Sequence, residues 1–111
     1  MSDLAQKRCK PCEGGVLRMT LDEAKASLPQ IHSAWILNSD ATVLSREFKF
    51  SDFYRVMSFV NALAHIANQE DHHPDLEVSY NRVFVRWSTH AIKGLSENDF
   101  IGAAKTDALV E

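Results

Sequence analysis

Three of the five histidines, His72, His73 and His90, fall within nineteen residues of one another, and two of them are adjacent. Imidazole titrates near neutral pH and can give or take a proton there, so such a group suits acid–base chemistry without a metal. Pro74 follows the pair directly and biases His73 toward extended backbone, which points the two adjacent rings in different directions from a constrained loop. If the strand that ends before His90 pairs with its hairpin partner, His90 returns toward the start of that hairpin and the three imidazoles converge. The same residues have plainer roles: histidines in a loop are often simply solvated, and His90 could be an idle polar residue at a strand end. Asp99 lies three residues after Ser96, where a capping-box acid belongs, so helix capping is its default role.

Zinc is the competing chemistry. His72, His73 and His90 could supply three ligands, or Cys9 and Cys12 with two histidines could supply four. Adjacent histidines seldom both reach one ion, and the cysteines lie on a segment without regular structure, so the expected site holds no metal. Cys9-Lys10-Pro11-Cys12 also has the spacing of a redox motif. Such motifs open a helix in a βαβ setting, which is missing here.

The elements that must position these residues can be read from periodicity. Residues 1–19 carry both cysteines, two glycines and Pro11 with no sustained period, and are expected to form a flexible N-terminal arm. Thr20-Leu21-Asp22-Glu23 has the capping-box form and opens a short helix that Pro29 must end. Residues 33–38 and about 42–50 predict two strands joined by turn residues at Asn38, Ser39 and Asp40. From Ser51 or Asp52 the period becomes helical, with Phe53, Val56, Met57, Val60, Leu63, Ala64 and Ala67 on one side. That helix stops before Pro74. Leu76, Val78 and Tyr80, then Val83, Val85 and Trp87, alternate with polar neighbours in two half-buried strands that meet near Asn81. Trp87 and Tyr80 are expected to serve as core or interface residues rather than as platforms for a ligand. A last helix begins at Ser96.

The order α-β-β-α-β-β-α, with a short turn inside each strand pair, predicts an α+β fold. It should be a four-stranded antiparallel sheet with three helices packed on one face, forming a single domain over residues 20–111. The 111 residues, 45% apolar and 24% charged, have ordinary globular composition. Net charge is −3 with no cluster of Lys and Arg, which argues against direct nucleic-acid binding. The longest apolar run, Ala34 to Leu37, is four residues. A leader core needs at least ~7 and a membrane helix ~20, so neither secretion nor membrane contact is expected. Two cysteines make no disulfide framework, and the cytoplasm is the expected location.

Five residues separate Pro74 from Tyr80, nine separate Tyr80 from His90, and eight separate His90 from Asp99. This spacing resembles the pattern of the pterin-4a-carbinolamine dehydratase family. The words HHPDLEVSY, STHAIKGLSENDF and AAKTDAL resemble its bacterial members, and the similarity covers roughly residues 20 to 110. The resemblance implies loss of water from a 4a-hydroxytetrahydropterin, which recycles the cofactor of aromatic amino-acid hydroxylases. It implies acid–base roles for His72 and His90, and pterin binding with a share in proton removal for His73. Asp71, Pro74 and Asp99 would bind substrate or support the site. It further implies no cofactor, a pterin as the small-molecule partner, and a homodimer or homotetramer. Some animal relatives also bind the dimerisation segment of a transcription factor. The alternative is therefore a non-catalytic module acting on a transcription-factor oligomer or a hydroxylase. One departure is visible: Asn68 stands where the family usually has a charged residue or histidine, and Glu70 or Asp71 is the candidate replacement.

Overall fold

The computed structural model describes residues 3–11 and 16–110. Thr20 opens helix α1 (Leu21–Ser27), its hydroxyl accepting from the Glu23 amide at 3.1 Å while Glu23 accepts from the Thr20 amide at 2.8 Å. Two first-turn donors are thus closed reciprocally. Pro29 then lies in a short 3-10 turn, Leu28–Gln30. Strands β1 (Ile36–Leu37) and β2 (Leu44–Lys49) pair antiparallel. β1 is shorter than the expected 33–38 strand because its first half is a turn: His32 Nδ1 accepts from the Ala34 amide, and the Trp35 amide bonds back to the His32 carbonyl. Asn38 shapes the connection to β2, its Oδ1 accepting from the amides of Thr42 and Val43 at 2.8 and 2.9 Å.

Asp52 caps the long helix α2 (Phe53–Glu70) by accepting from the Arg55 amide at 2.9 Å. The helix ends where Asp71 takes a left-handed conformation, φ 51°. Strands β3 (Asp75–Ser79) and β4 (Arg82–Trp87) follow, and α3 (Glu97–Ala108) closes the fold. The strands form one antiparallel sheet in the order β1-β2-β4-β3. Its register sets Phe48 opposite Val83 and Leu44 opposite Trp87. Those four side chains and Val85 are buried on one face. Val56, Phe59 and Leu63 of α2, and Phe100, Ile101 and Ala103 of α3, complete the same core. The α+β architecture with three helices and a four-stranded antiparallel sheet is the one expected.

Two features were not foreseen in the sequence. The described part of the segment read as a flexible arm is docked: Leu4 is buried, and the Cys9 amide donates to Glu70 Oε1 at 2.7 Å. Lys10 and Asn98 exchange two hydrogen bonds, at 3.0 and 2.8 Å. The second is Arg46, which points from β2 into the core side and pairs with Asp107. The Asp107 carboxylate also accepts from Trp35 Nε1 at 2.8 Å and the His32 amide at 3.0 Å, so this buried charge is closed by specific partners. Among the described residues, no helix is long and apolar enough to cross a membrane.

Candidate active site

The left-handed turn at Asp71 sends the chain back under the end of α2, where the His72 amide bonds to the Ala67 carbonyl at 3.2 Å. The His72 ring is consequently buried, 6% exposed, while the ring of His73 lies in solvent. The adjacent pair thus differ in exposure, one ring buried and the other open to solvent. His72 Nε2 lies 2.6 Å from Asp99 Oδ1, and Asp99 is fully buried. The other carboxylate oxygen accepts from Thr89 Oγ1 at 2.7 Å and from the Ser96 amide at 3.0 Å. Thr89 spends its one hydroxyl proton on Asp99, so the Ser96 hydroxyl, 2.9 Å away, donates to Thr89. Asp99 therefore caps α3 and holds His72 with opposite oxygens. A fixed acceptor on Nε2 settles ring orientation and tautomer together, as an orienting carboxylate does in hydrolytic triads.

His72 also stacks on Trp87, with ring centroids 5.3 Å apart and an interplanar angle of 25°. Trp87 belongs to the core, as expected, but its contact with a candidate catalytic ring was not foreseen. Tyr80, by contrast, is 66% exposed at the β3–β4 turn. Beyond β4, Thr89 and Gly94 bond to each other through their backbones at 2.8 and 3.4 Å, closing a small loop that contains the 3-10 turn His90–Ile92. That loop presents His90 with its side chain 75% exposed and its Nε2 3.9 Å from Asp75 Oδ2.

His72, His73 and His90 line one cleft of about 330 Å³ together with Asp71, Pro74 and Asp75. That volume is in the range of small-molecule sites. Asp75 was missed in the sequence, where it reads only as the first polar residue of a strand. A larger cleft, about 850 Å³, is lined by Gln30, His32, Ala104 and Asp107 among others. Its buried acid is already bonded to Arg46, Trp35 and the His32 amide, so the smaller cleft, which three imidazoles line, is the candidate site.

Asn68, in the last turn of α2, places Oδ1 3.0 Å from His73 Nε2. The departure from the family pattern thus still makes a contact with a site histidine. Glu70 does not replace it. Its carboxylate faces the docked N-terminal segment, bonding the Cys9 amide and Arg8 Nε, the latter at 2.8 Å. Burial opposes the Glu70 charge, but the Cys9 N–H, Lys105 and Arg8 outweigh it and hold the carboxyl below its ordinary 4.5. Among the described residues, no group of three or more His, Cys, Asp or Glu is placed to hold a metal ion. Cys12 lies outside the described residues.

Comparison with known proteins places this geometry in a family. The family model described as pterin 4 alpha carbinolamine dehydratase matches residues 17–109. A protein of Nitrosomonas eutropha named "Putative pterin-4-alpha-carbinolamine dehydratase" is 52% identical, covering 97% of this chain and 94% of its own. One of the same name from Stenotrophomonas maltophilia is 55% identical, covering 97% and 92%. A crystal structure described as a transcriptional coactivator/pterin dehydratase from Brucella melitensis superposes with a TM-score of 0.80 at 33% identity, covering 86% of this chain and all of that one. Matched across nearly its whole length in sequence and in fold, the chain belongs to the pterin-4a-carbinolamine dehydratase family of hydro-lyases.

Proposed function

We propose that this chain eliminates water from a 4a-hydroxytetrahydropterin to give the quinonoid dihydropterin, and so recycles the pterin of an aromatic amino-acid hydroxylase. The C4a–O bond breaks and the departing oxygen takes a proton from an imidazolium. The N5–H proton passes to a neutral imidazole, and its bonding pair forms the new N5=C4a double bond. Water and the quinonoid pterin leave with no net oxidation, so histidines alone can carry the step.

His72 and His90 are the acid–base pair. They reach the cleft from different elements, the α2–β3 corner and the loop after β4. A 4a-hydroxyl can project from either face of the pterin, and one acid per face serves both epimers. His73, steadied by Asn68, binds the ring and shares in proton removal, while Asp71 and Pro74 shape the mouth and Asp99 supports His72. The observation that carries this reading is the buried 2.6 Å His72–Asp99 pair in the wall of a cleft shared with two more imidazoles. A purely protein-binding role, such as the coactivation named for the Brucella structure, places no demand on three imidazoles sharing one cleft.

The test is steady-state dehydration of each 4a-hydroxyl epimer by the His72→Ala and His90→Ala variants. Each is expected to lose most activity on one epimer and keep it on the other. Equal and complete loss on both epimers by either variant would overturn the two-faced assignment. We further propose a homo-oligomer in the cytoplasm. Ile36 on edge strand β1, Val78 on edge strand β3, and Phe53 and Tyr54 of α2 are exposed in the single chain. Such apolar surface and open strand edges are what subunit contacts cover.

A further inference from the structure

We propose that Trp87 and Gly102 are positioning residues for His72, with helix α3 setting both the edge and the plane of that ring. This rests on the dehydratase reading for its kinetic part only. The edge is set by Asp99, through its 2.6 Å contact with Nε2. The plane is set by the Trp87 indole, which stacks on the imidazole at 5.3 Å and is itself 1% exposed. The indole is seated by α3 as well. A Cβ at Gly102 would lie 2.8 Å from each of Cδ2, Cε2 and Cζ2 of Trp87. Equal distance from three consecutive atoms of a six-membered ring puts that point over the ring's centre, so the indole's flat face occupies the space that any side chain at 102 would take. Thr106, one turn further on, accepts the indole N–H at 3.2 Å and fixes its rotation. Asp99, Gly102 and Thr106 stand at steps of three and four, on one face of the helix.

A methyl group at Gly102 cannot be accommodated unless the indole moves, and the ring stacked on it must then move too. The role is to hold the proton-transferring ring flat against the wall, not to touch substrate. Three variants test it: Trp87→Phe keeps a flat face, Trp87→Leu keeps apolar bulk without one, and Gly102→Ala keeps the indole but displaces it. An aromatic stack contributes enough for a roughly two- to tenfold fall in kcat in the Leu and Ala variants. KM should stay within about twofold, because no binding contact is lost. Trp87→Phe should recover most of the loss. The His72 ring protons, assigned by comparison with His72→Ala, should carry the ring-current shift of the indole in the wild type and lose it in both impaired variants.

Wild-type kcat in Gly102→Ala, or a fall in kcat with unmoved His72 signals, would overturn the proposal. If Trp87→Leu fails to fold, Gly102→Ala and Trp87→Phe decide it alone. If the wild-type chain shows no dehydration, the functional reading fails, while the His72 signals of the same variants still decide the positioning.

Discussion

Replacing Asp99 by Asn exchanges one carboxylate oxygen for an NH₂ group and leaves the shape of the side chain unchanged. Only one of the two orientations of that amide can be satisfied. The Ser96 amide is a backbone donor that cannot reverse, and it faces Oδ2 at 3.0 Å, so the amide oxygen must stay there. The NH₂ group then faces His72 Nε2 across the 2.6 Å contact and requires that nitrogen to accept. We predict that the neutral ring inverts its tautomer, moving its proton from Nε2 to Nδ1. An orienting Asp-to-Asn change costs about 10⁴ in kcat where the ring is the only base, as in serine proteases. On the proposed reading His90 shares the work, so the expected loss is nearer ~10²-fold, confined to the epimer assigned to His72. Loss of a charge-assisted bond should also cost about 2 kcal/mol of stability, on the order of 10 °C in Tm for a domain of this size. Long-range ¹⁵N–¹H correlation spectra of the imidazole report the tautomer directly, beside kcat for each epimer. An Nε2–H tautomer persisting in Asp99→Asn, or an unchanged kcat, would refute the reasoning.

Asp107→Ala removes the carboxylate shared by Arg46, Trp35 and the His32 amide, and leaves a guanidinium only 13% exposed without its counter-charge. We predict a loss of about 3–5 kcal/mol, read as a lower urea midpoint. His73→Ala should raise KM roughly tenfold with a smaller change in kcat, because it removes ground-state binding; a fall in kcat alone would argue against that role. Glu70 gives a pH prediction. Its carboxyl sits below 4.5 in the folded chain, so it stabilises docking of residues 3–10 above that value, and the contribution is lost as pH falls through the lowered one. The protection factor of the Cys9 amide, corrected for the intrinsic rate at each pH, should therefore fall as pH drops below about 4.5 while the β4 amides stay protected; uniform protection would contradict it.

Most of the fold was legible because its signals are local. The capping box at Thr20, the cap at Asp52, the stop before Pro74 and the alternation of Val83, Val85 and Trp87 each need only a few neighbouring residues. The docked N-terminal segment was not legible. Its partners, Glu70 and Asn98, stand 61 and 88 residues away, and one buried Leu4 makes no period. Arg46 was hidden for the same reason, since a charge among inward-facing strand positions reads as an error until Asp107 is placed beside it. Asp99 was read as a helix cap and as a family site residue, and both are compatible because its two oxygens do different things. Pairing of Trp87 with His72 had no sequence signal, because stacking depends on the turn at Asp71 that brings the histidine back under α2.

The central claim, that histidines sharing one cleft carry out the dehydration, is tested most directly by one comparison. Dehydration of a 4a-hydroxytetrahydropterin is followed with the wild-type chain and with the His72→Ala, His90→Ala double variant, each against buffer. The account predicts that the wild type exceeds the double variant by well over ~10²-fold, because both general acids are gone. A double variant as fast as the wild type, or a wild type no faster than buffer, would contradict it.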